Sequence, residues 1–188
     1  MTKTPRASAC VFMAMSVDGF IAGPDDDLTF LEKVAQVGED YGYGEFFASI
    51  QVLVLGRRTW DTLVGFDTWP YAGKRVIVAT SHPSAIVANY GEETWSGDPR
   101  ALLEGLFQEG CRRVYVDGGS LVRGFLSAQI VDELTLSIVP VLLGSGRPLF
   151  SEGLPTLDLR LAEAKSFSSG LVRLRFLAKT GNPEEGLF

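Results

Sequence analysis

The amino-acid sequence predicts an α/β fold: a mixed, mostly parallel central sheet flanked by helices, with a C-terminal antiparallel hairpin. Three observations predict it. Apolar runs of strand length alternate with stretches of helical period. Glycines stand where two of those runs turn into helices, at Gly56 and at Gly118-Gly119. The last two runs, Leu157–Phe167 and Leu171–Lys179, are joined only by Ser168-Ser169-Gly170. That link is too short for a crossover, so these two strands are antiparallel.

The elements follow in order. Cys10–Val17 reads as a buried strand and Gly19–Asp26 as a loop rich in glycine and acid. Asp27–Gln36 reads as a short helix with Leu28, Leu31 and Val34 or Ala35 inward, and Tyr43–Ile50 as a second helical stretch. Val52–Leu55 is a strand, and Arg57–Val64 the helix after it. Arg75–Thr80 is the next strand. Asp98 then caps a helix that has Pro99 at its first position and Gly110 past its end. Arg113–Asp117 is a strand, Leu121–Ala128 a helix and Glu133–Val139 a strand. Strands alternating with helices give a largely parallel sheet covered on both faces. The reading is one domain over residues 1–180 and a frayed tail, Gly181–Phe188.

Composition bounds the function. The 188 residues are 46% apolar and 21% charged, the balance of a globular domain that needs no disulfide or metal to fold. A net charge of −6 argues against nucleic acid or an anionic membrane as partner, since both require a basic face. Cys10 and Cys111 both lie in apolar segments and read as buried thiols. One histidine and two distant cysteines cannot supply a usual zinc site. No apolar run has the length of a membrane span or signal core, so the expected location is the cytoplasm.

The two glycine turns are the first candidates for function. A helix N-terminus offers free N–H groups and a positive dipole end, and glycine lets a phosphate come close to the backbone. Two such seats suit a dinucleotide pyrophosphate. Neither has the three spaced glycines of the usual dinucleotide fingerprint, and tight turns alone would also account for them.

Taken together, four stretches resemble the dihydrofolate-reductase-like superfamily in the order the family has them. They are the opening strand and lid entry from Val11 to Ala22, Gly56-Arg57-Arg58-Thr59-Trp60, Gly73–Val78 with Thr80-Ser81, and Asp117-Gly118-Gly119-Ser120. The resemblance implies a reductase that binds NADPH and passes a hydride to a small heterocyclic substrate, pteridine- or pyrimidine-like. It implies that Ala14 and Ile21 flank the nicotinamide, and that Gly56, Arg57, Arg58 and Thr59 meet phosphates. Thr80 and Ser81, with His82, would approach the adenosine 2′-phosphate. Gly118, Gly119, Ser120 and Leu121 would pack along the nicotinamide ribose and pyrophosphate. Arg57, Arg58, Lys74 and Arg75 cluster in the sequence, which favours NADPH over NADH. A solvated basic strip is the other reading of that cluster.

Reduction of a C=N bond also needs a proton source. Asp27 matches the family's acid at the start of its first helix, and could equally be that helix's cap. Asp117 is the second candidate, because a carboxylate at the end of an apolar strand is costly without a partner. Ser137 aligns with a family hydroxyl that supports the acid from a neighbouring strand.

Departures from the folate enzymes narrow the resemblance. The loop from Ala22 to Asp27 is shorter than their lid, and Lys74 stands where they use arginine. Val139-Pro140-Val141-Leu142-Leu143-Gly144-Ser145-Gly146 resembles the riboflavin-type branch, specifically stand-alone relatives of its reductase C-terminal domain. A riboflavin-pathway pyrimidine reductase is therefore one alternative, and a non-catalytic nucleotide-binding protein another. A phosphate-bearing substrate would call for an extra basic site at Arg123 or Arg147. Tyr41, Tyr43, Phe46, Phe47, Phe66, Trp69 and Tyr71 could stack a heterocycle or simply fill the core. The apolar late strands imply a sheet edge open to a second copy, hence a homodimer.

Overall fold

The computed structural model describes residues 4–179; the tail expected to fray, Gly181–Phe188, lies outside the described residues. Strand β1 (Ser8–Ser16) runs into a short strand β2 (Phe20–Ala22), and helix α1 covers Tyr43–Ser49. Strand β3 (Val52–Gly56) leads directly into α2 (Arg57–Leu63), and β4 (Arg75–Ala79) is followed by β5 (Glu93–Trp95). Next come α3 (Pro99–Gln108), β6 (Arg113–Asp117), α4 (Gly119–Ser127) and β7 (Val131–Val139). A short β8 (Arg147–Pro148) precedes the final hairpin, β9 (Leu159–Ser166) and β10 (Val172–Ala178).

The main sheet has eight strands in the order β5-β4-β3-β6-β1-β7-β10-β9. The first six in that order run parallel; β10 and β9 pair antiparallel at the edge. β2 and β8 form a separate antiparallel ribbon. The two faces carry different cores. Ala9, Val11, Met13 and Met15 of β1 face α3 and α4, through Leu103, Leu106, Val122 and Phe125. Cys10 and Phe12 face the other way, against Phe46 of α1 and Trp60 of α2. This alternation is the period-2 geometry of a strand buried on both sides. Both cysteines are free and buried; burial pushes the Cys10 thiol up to about 12.

Local chemistry explains the helix ends. Asp98 accepts hydrogen bonds from the Arg100 and Ala101 amides, satisfying donors that the first turn of α3 leaves free. Gly110 follows that helix at φ +92°, a conformation that favours glycine.

Three expectations are corrected. Asp27–Gln36 is not an α-helix: the chain forms two 3₁₀ segments, Pro24–Asp26 and Thr29–Val34. Asp25 and Asp26 take left-handed φ values, and the backbone bonds close over three residues, Leu31 N–H to Leu28 O and Ala35 N–H to Glu32 O. Phe30 and Val34 are the buried residues there, while Leu28 is exposed. The strands β2, β5 and β8 fall in stretches read as loops, being too short to show a period.

Candidate functional site

β3 and β6 are neighbours in the sheet, but their helices depart to opposite faces. Trp60 of α2 joins one core and Val122 of α4 the other. Such a divergence opens a crevice at the carboxyl ends of the strands, where α/β sheets bind ligands. The two glycine turns meet in this crevice. A Cβ on Gly56 would stand 3.6 Å from Leu121 Cβ and 3.8 Å from Asp117 O. A Cβ on Gly118, at φ +110°, would stand 2.6 Å from Thr59 Oγ1. Ile21 closes the crevice from above, since a Cβ on Gly119 would fall 2.4 Å from Ile21 Cδ1. Ile21, Gly56, Thr59, Gly118, Gly119 and Leu121, far apart in sequence, thus form one place.

A clamp that the sequence reading missed holds Ile21 there. Asp18 accepts from the Leu143 and Gly144 amides at 3.1 and 2.7 Å, and from Ser16 Oγ at 2.6 Å. The Ser16 hydroxyl bond comes first in holding the Asp18 carboxyl down at about 2, and the two amides add to it. Leu149 N–H donates to Gly19 O, and Arg147 pairs with Asp26. The Ser-x-Asp-Gly run at 16–19 was its only local signal; the partners lie about 125 residues away in sequence.

Two cavities are present, and the smaller shares Leu121 with the crevice. The smaller, about 200 Å³, is lined by Ala79, Trp95, Ser120, Leu121 and Gly124 among others. The larger, about 300 Å³, lies on the face of β1 and β7 that carries Phe12, Ala14 and Ser137, with Tyr41 and Tyr43 opposite. Ala14 and Ser137 are register partners. Each cavity is lined by a residue with a buried polar atom that has no hydrogen-bond partner in the structure: Trp95 Nε1 in the smaller, Ser137 Oγ in the larger. Buried polar atoms are nearly always paired, so each orphan calls for an explanation.

The two candidate acids differ sharply. Asp27 is exposed. Its carboxylate accepts from Thr29 N–H at 3.0 Å and from Thr29 Oγ1 at 2.9 Å, and these bonds hold it below the usual carboxylate range. Asp117 ends β6 beside Gly118, half-buried, with Tyr71 Oη donating to it at 3.4 Å. Burial pushes its carboxyl up to about 6, against the pull of the Gly118 amide and the Tyr71 hydroxyl. Burial, then the Asp117 charge, also raises the Tyr43 phenol to about 12. Ser137 Oγ makes no hydrogen bond to either acid in this structure.

The basic cluster read along the chain is divided in space. Arg75 pairs in register with Val52, at the opposite end of β3 from Gly56 and Arg57. Four residues of strand separate the two ends, about 13 Å. Arg75 is bound to Glu93 and Glu109 there, and Lys74 Nζ donates to Ile50 O. Arg57 and Arg58 remain at the crevice. Arg57 pairs with Asp61 at 2.8 Å, and Arg58 is well exposed, with Asp26 4.0 Å away. Thr80 and Ser81 follow β4 at the same end; Thr80 Oγ1 accepts from His82 N–H, and Ser81 Oγ lies 2.9 Å from His82 Nδ1.

The aromatic residues pack as a wall under the larger cavity. Phe12, Tyr43, Phe46 and Tyr115 meet at centroid distances of 5.0 to 6.4 Å. Phe47 stacks between Tyr43 and Tyr71. Phe66 stands apart, exposed; Phe12 and Tyr115 are members the sequence reading did not single out. Among the described residues no helix is long and apolar enough to cross a membrane, and no cluster of three or more His, Cys, Asp or Glu could hold a metal.

Comparison with known proteins agrees with this architecture. The chain is 32% identical over 163 residues to the uncharacterized protein YwjB of Bacillus subtilis (strain 168), covering 86% of this chain and 92% of that one. A crystal structure named as a riboflavin biosynthesis protein from Shewanella sp. PV-4 superposes with a TM-score of 0.86 at 29% identity, over 92% of this chain and 99% of the other. The deaminase/reductase of Thermotoga maritima, named for 5-amino-6-(5-phosphoribosylamino)uracil, shares the fold at TM-score 0.68 and 14% identity, over 92% of this chain and 57% of its own. Residues 8–173 match the RibD C-terminal domain; with its dihydrofolate-reductase-like sheet and paired glycine turns, this chain belongs to that family.

Proposed function

We propose that this chain is an NADPH-dependent reductase that passes a hydride to a small heterocycle of the pteridine or pyrimidine kind. The observation that carries the reading is the meeting of the two glycine turns at the carboxyl ends of β3 and β6, under Ile21 and Thr59, with the smaller cavity beside Leu121 and the half-buried Asp117 at the end of β6. Family membership supports reductase chemistry, and the Thermotoga and Shewanella names point to riboflavin-type pyrimidines.

The residues fit the cofactor. Gly118 and Gly119 bring bare backbone against the Thr59 and Ile21 side chains, and a pyrophosphate would reach that backbone once those side chains turn aside. The start of α4 offers free amides and the positive end of a helix dipole. Trp95 Nε1 is an unused donor in the smaller cavity, suited to a purine acceptor. Arg57, Arg58, Thr80 and Ser81 would hold the 2′-phosphate, and Ala14 and Ile21 would bracket the nicotinamide. When bound, NADPH supplies the hydride.

The chain's own residues manage the proton. Asp117 is the acid: its carboxyl, raised to about 6, keeps its proton in mildly acidic solution and in a fraction of molecules at neutrality, where Asp27 has already lost its own. Tyr71 orients the Asp117 carboxyl, and the aromatic wall keeps water from it. Free, buried cysteines suit a reducing cytoplasm. β9 is the outer edge of the sheet with Leu161 exposed, so we place a homodimer contact there. Light scattering should give twice the 20.4 kDa monomer mass, and a monomer would refute the contact.

The direct test is NADPH titration followed by absorbance at the nicotinamide band with a pterin and pyrimidine panel. Binding with oxidation supports the reading. Binding without oxidation leaves a nucleotide-binding protein, and no binding overturns it.

A further inference from the structure

Among the described residues that line the larger cavity there is one fully buried polar atom without a partner and no cation. Ser137 is 3% exposed, and its hydroxyl is without a partner. The rest of the lining is apolar or aromatic, except Asp40 at the rim. Asp40 is a committed carboxylate, accepting from the Gly42 and Gly44 amides at 2.7 and 2.9 Å. Arg173 is the cation that reaches this rim, and it is already paired. One nitrogen donates to Tyr41 O at 2.8 Å and another to Glu163 at 2.6 Å.

The other basic residues have contacts of their own, Arg147 and Arg175 with carboxylates and Arg123 and Lys74 with neutral oxygens. Arg147 pairs with Asp26, and Arg123 donates to Pro148 O at 2.7 Å and Ser120 Oγ at 3.1 Å. Lys74 is tied to Ile50 O, and Arg175 to the buried Glu133. A phosphate brought to this cavity would meet Asp40 and Glu163 and find no unpaired cation among the lining residues. Taking a partner from Arg173 would leave Glu163 or the Tyr41 carbonyl unsatisfied, a loss that offsets the gain.

We propose that this cavity receives a flat, uncharged, non-phosphorylated ring, held between the aromatic wall and Ala14 by one hydrogen bond to Ser137 Oγ, and that it rejects the phosphoribosyl form of such a ring. This deepens the reductase reading and rests on it for turnover, though not for binding. A volume of about 300 Å³ is at the small end of ligand sites and suits a one- or two-ring heterocycle. The hydroxyl can donate to a ring carbonyl or accept from a ring N–H.

The test uses a matched pair and a bare ring: 5-amino-6-(5-phosphoribosylamino)uracil, the same compound without its phosphate, and lumazine. Each is titrated calorimetrically into the full chain, with and without saturating NADPH. The phosphate-free compound and lumazine should bind, and the phosphorylated one at least tenfold more weakly. Ser137→Ala should weaken lumazine about fivefold, the value of one neutral hydrogen bond, with its melting temperature unchanged or raised because a buried orphan is removed. Equal or tighter binding of the phosphorylated compound overturns the proposal, as does failure of both other compounds to bind. An unchanged lumazine affinity in Ser137→Ala overturns the assigned contact. Ring binding without any NADPH binding would sink the reductase reading and leave the cavity assignment standing, so the two failures are separable.

Discussion

Replacing Asp117 by asparagine should stabilise the protein while disabling it. The folded carboxyl lies at about 6 and the unfolded one at 3.8. The folded state therefore binds the proton more tightly, and stability falls as pH rises from 3.8 through 6. Two units at about 1.4 kcal/mol each make the ionised group cost about 3 kcal/mol at pH 8. At pH 5 the folded carboxyl is still mostly protonated and the cost is smaller, about 2 kcal/mol. The Tyr71 bond that asparagine could weaken is long, 3.4 Å, and an unpaired amide N–H₂ subtracts about 1 kcal/mol. Urea unfolding should then show Asp117→Asn more stable than the parent by about 2 kcal/mol at pH 8, with the gap growing by about 1 kcal/mol between pH 5 and pH 8. Turnover should fall by about 10²-fold or more, and the parent's turnover should itself decline as pH rises through about 6. Asp27→Asn is the control, altering only the exposed local bonds from Thr29; its turnover should stay near the parent's. A stability gap that does not widen with pH would refute the buried-acid argument. Loss of turnover in Asp27→Asn alone would move the acid to Asp27.

Other outcomes follow from the same geometry. NADPH should bind at least tenfold tighter than NADH, a difference of about 1.4 kcal/mol, and Arg58→Ala should remove most of that preference; equal titration curves for the two cofactors in the parent would refute it. Gly118→Ala forces a side chain into φ +110° and onto Thr59 Oγ1, so chemical denaturation should show a loss of about 2 kcal/mol or more. Asp18→Asn should speed hydrogen exchange at the Leu143 and Gly144 amides and raise the KM for NADPH. The parent's own clamp should persist down to about pH 4 and loosen as pH falls towards the Asp18 value of about 2; exchange unaffected by the substitution would count against the clamp. Glu133, buried, accepts from Arg113 and Arg175. Glu133→Gln should cost about 1 to 3 kcal/mol by thermal melt, because both guanidiniums lose their counter-charge.

The sequence by itself determined the layer order and the glycine turns. Period-2 apolar runs and a three-residue hairpin link leave few ways to build the sheet, and Asp98-Pro99 and Gly110 mark their helix by local chemistry that needs no tertiary partner. The motif order from Val11 to Ser120 also carried the family. What sequence could not decide was which like residues share a place. Arg57 and Arg75 look clustered along the chain, yet a strand's length separates them, because neighbours in sequence diverge wherever the backbone is extended. Asp27 and Asp117 are both plain aspartates on paper. Only packing made one an exposed carboxylate bound to Thr29 and the other a half-buried acid, since a carboxyl's proton affinity is set by how much water and how many donors surround it. The short strands β2 and β8 and the Asp18 clamp were invisible for a related reason: their partners lie more than a hundred residues away, and three residues carry no period. The larger cavity belongs wholly to tertiary structure. Ser137 and Ala14 face each other only through the register of β1 and β7, and the absence of a free cation there depends on salt bridges that form only when the distant strands come together.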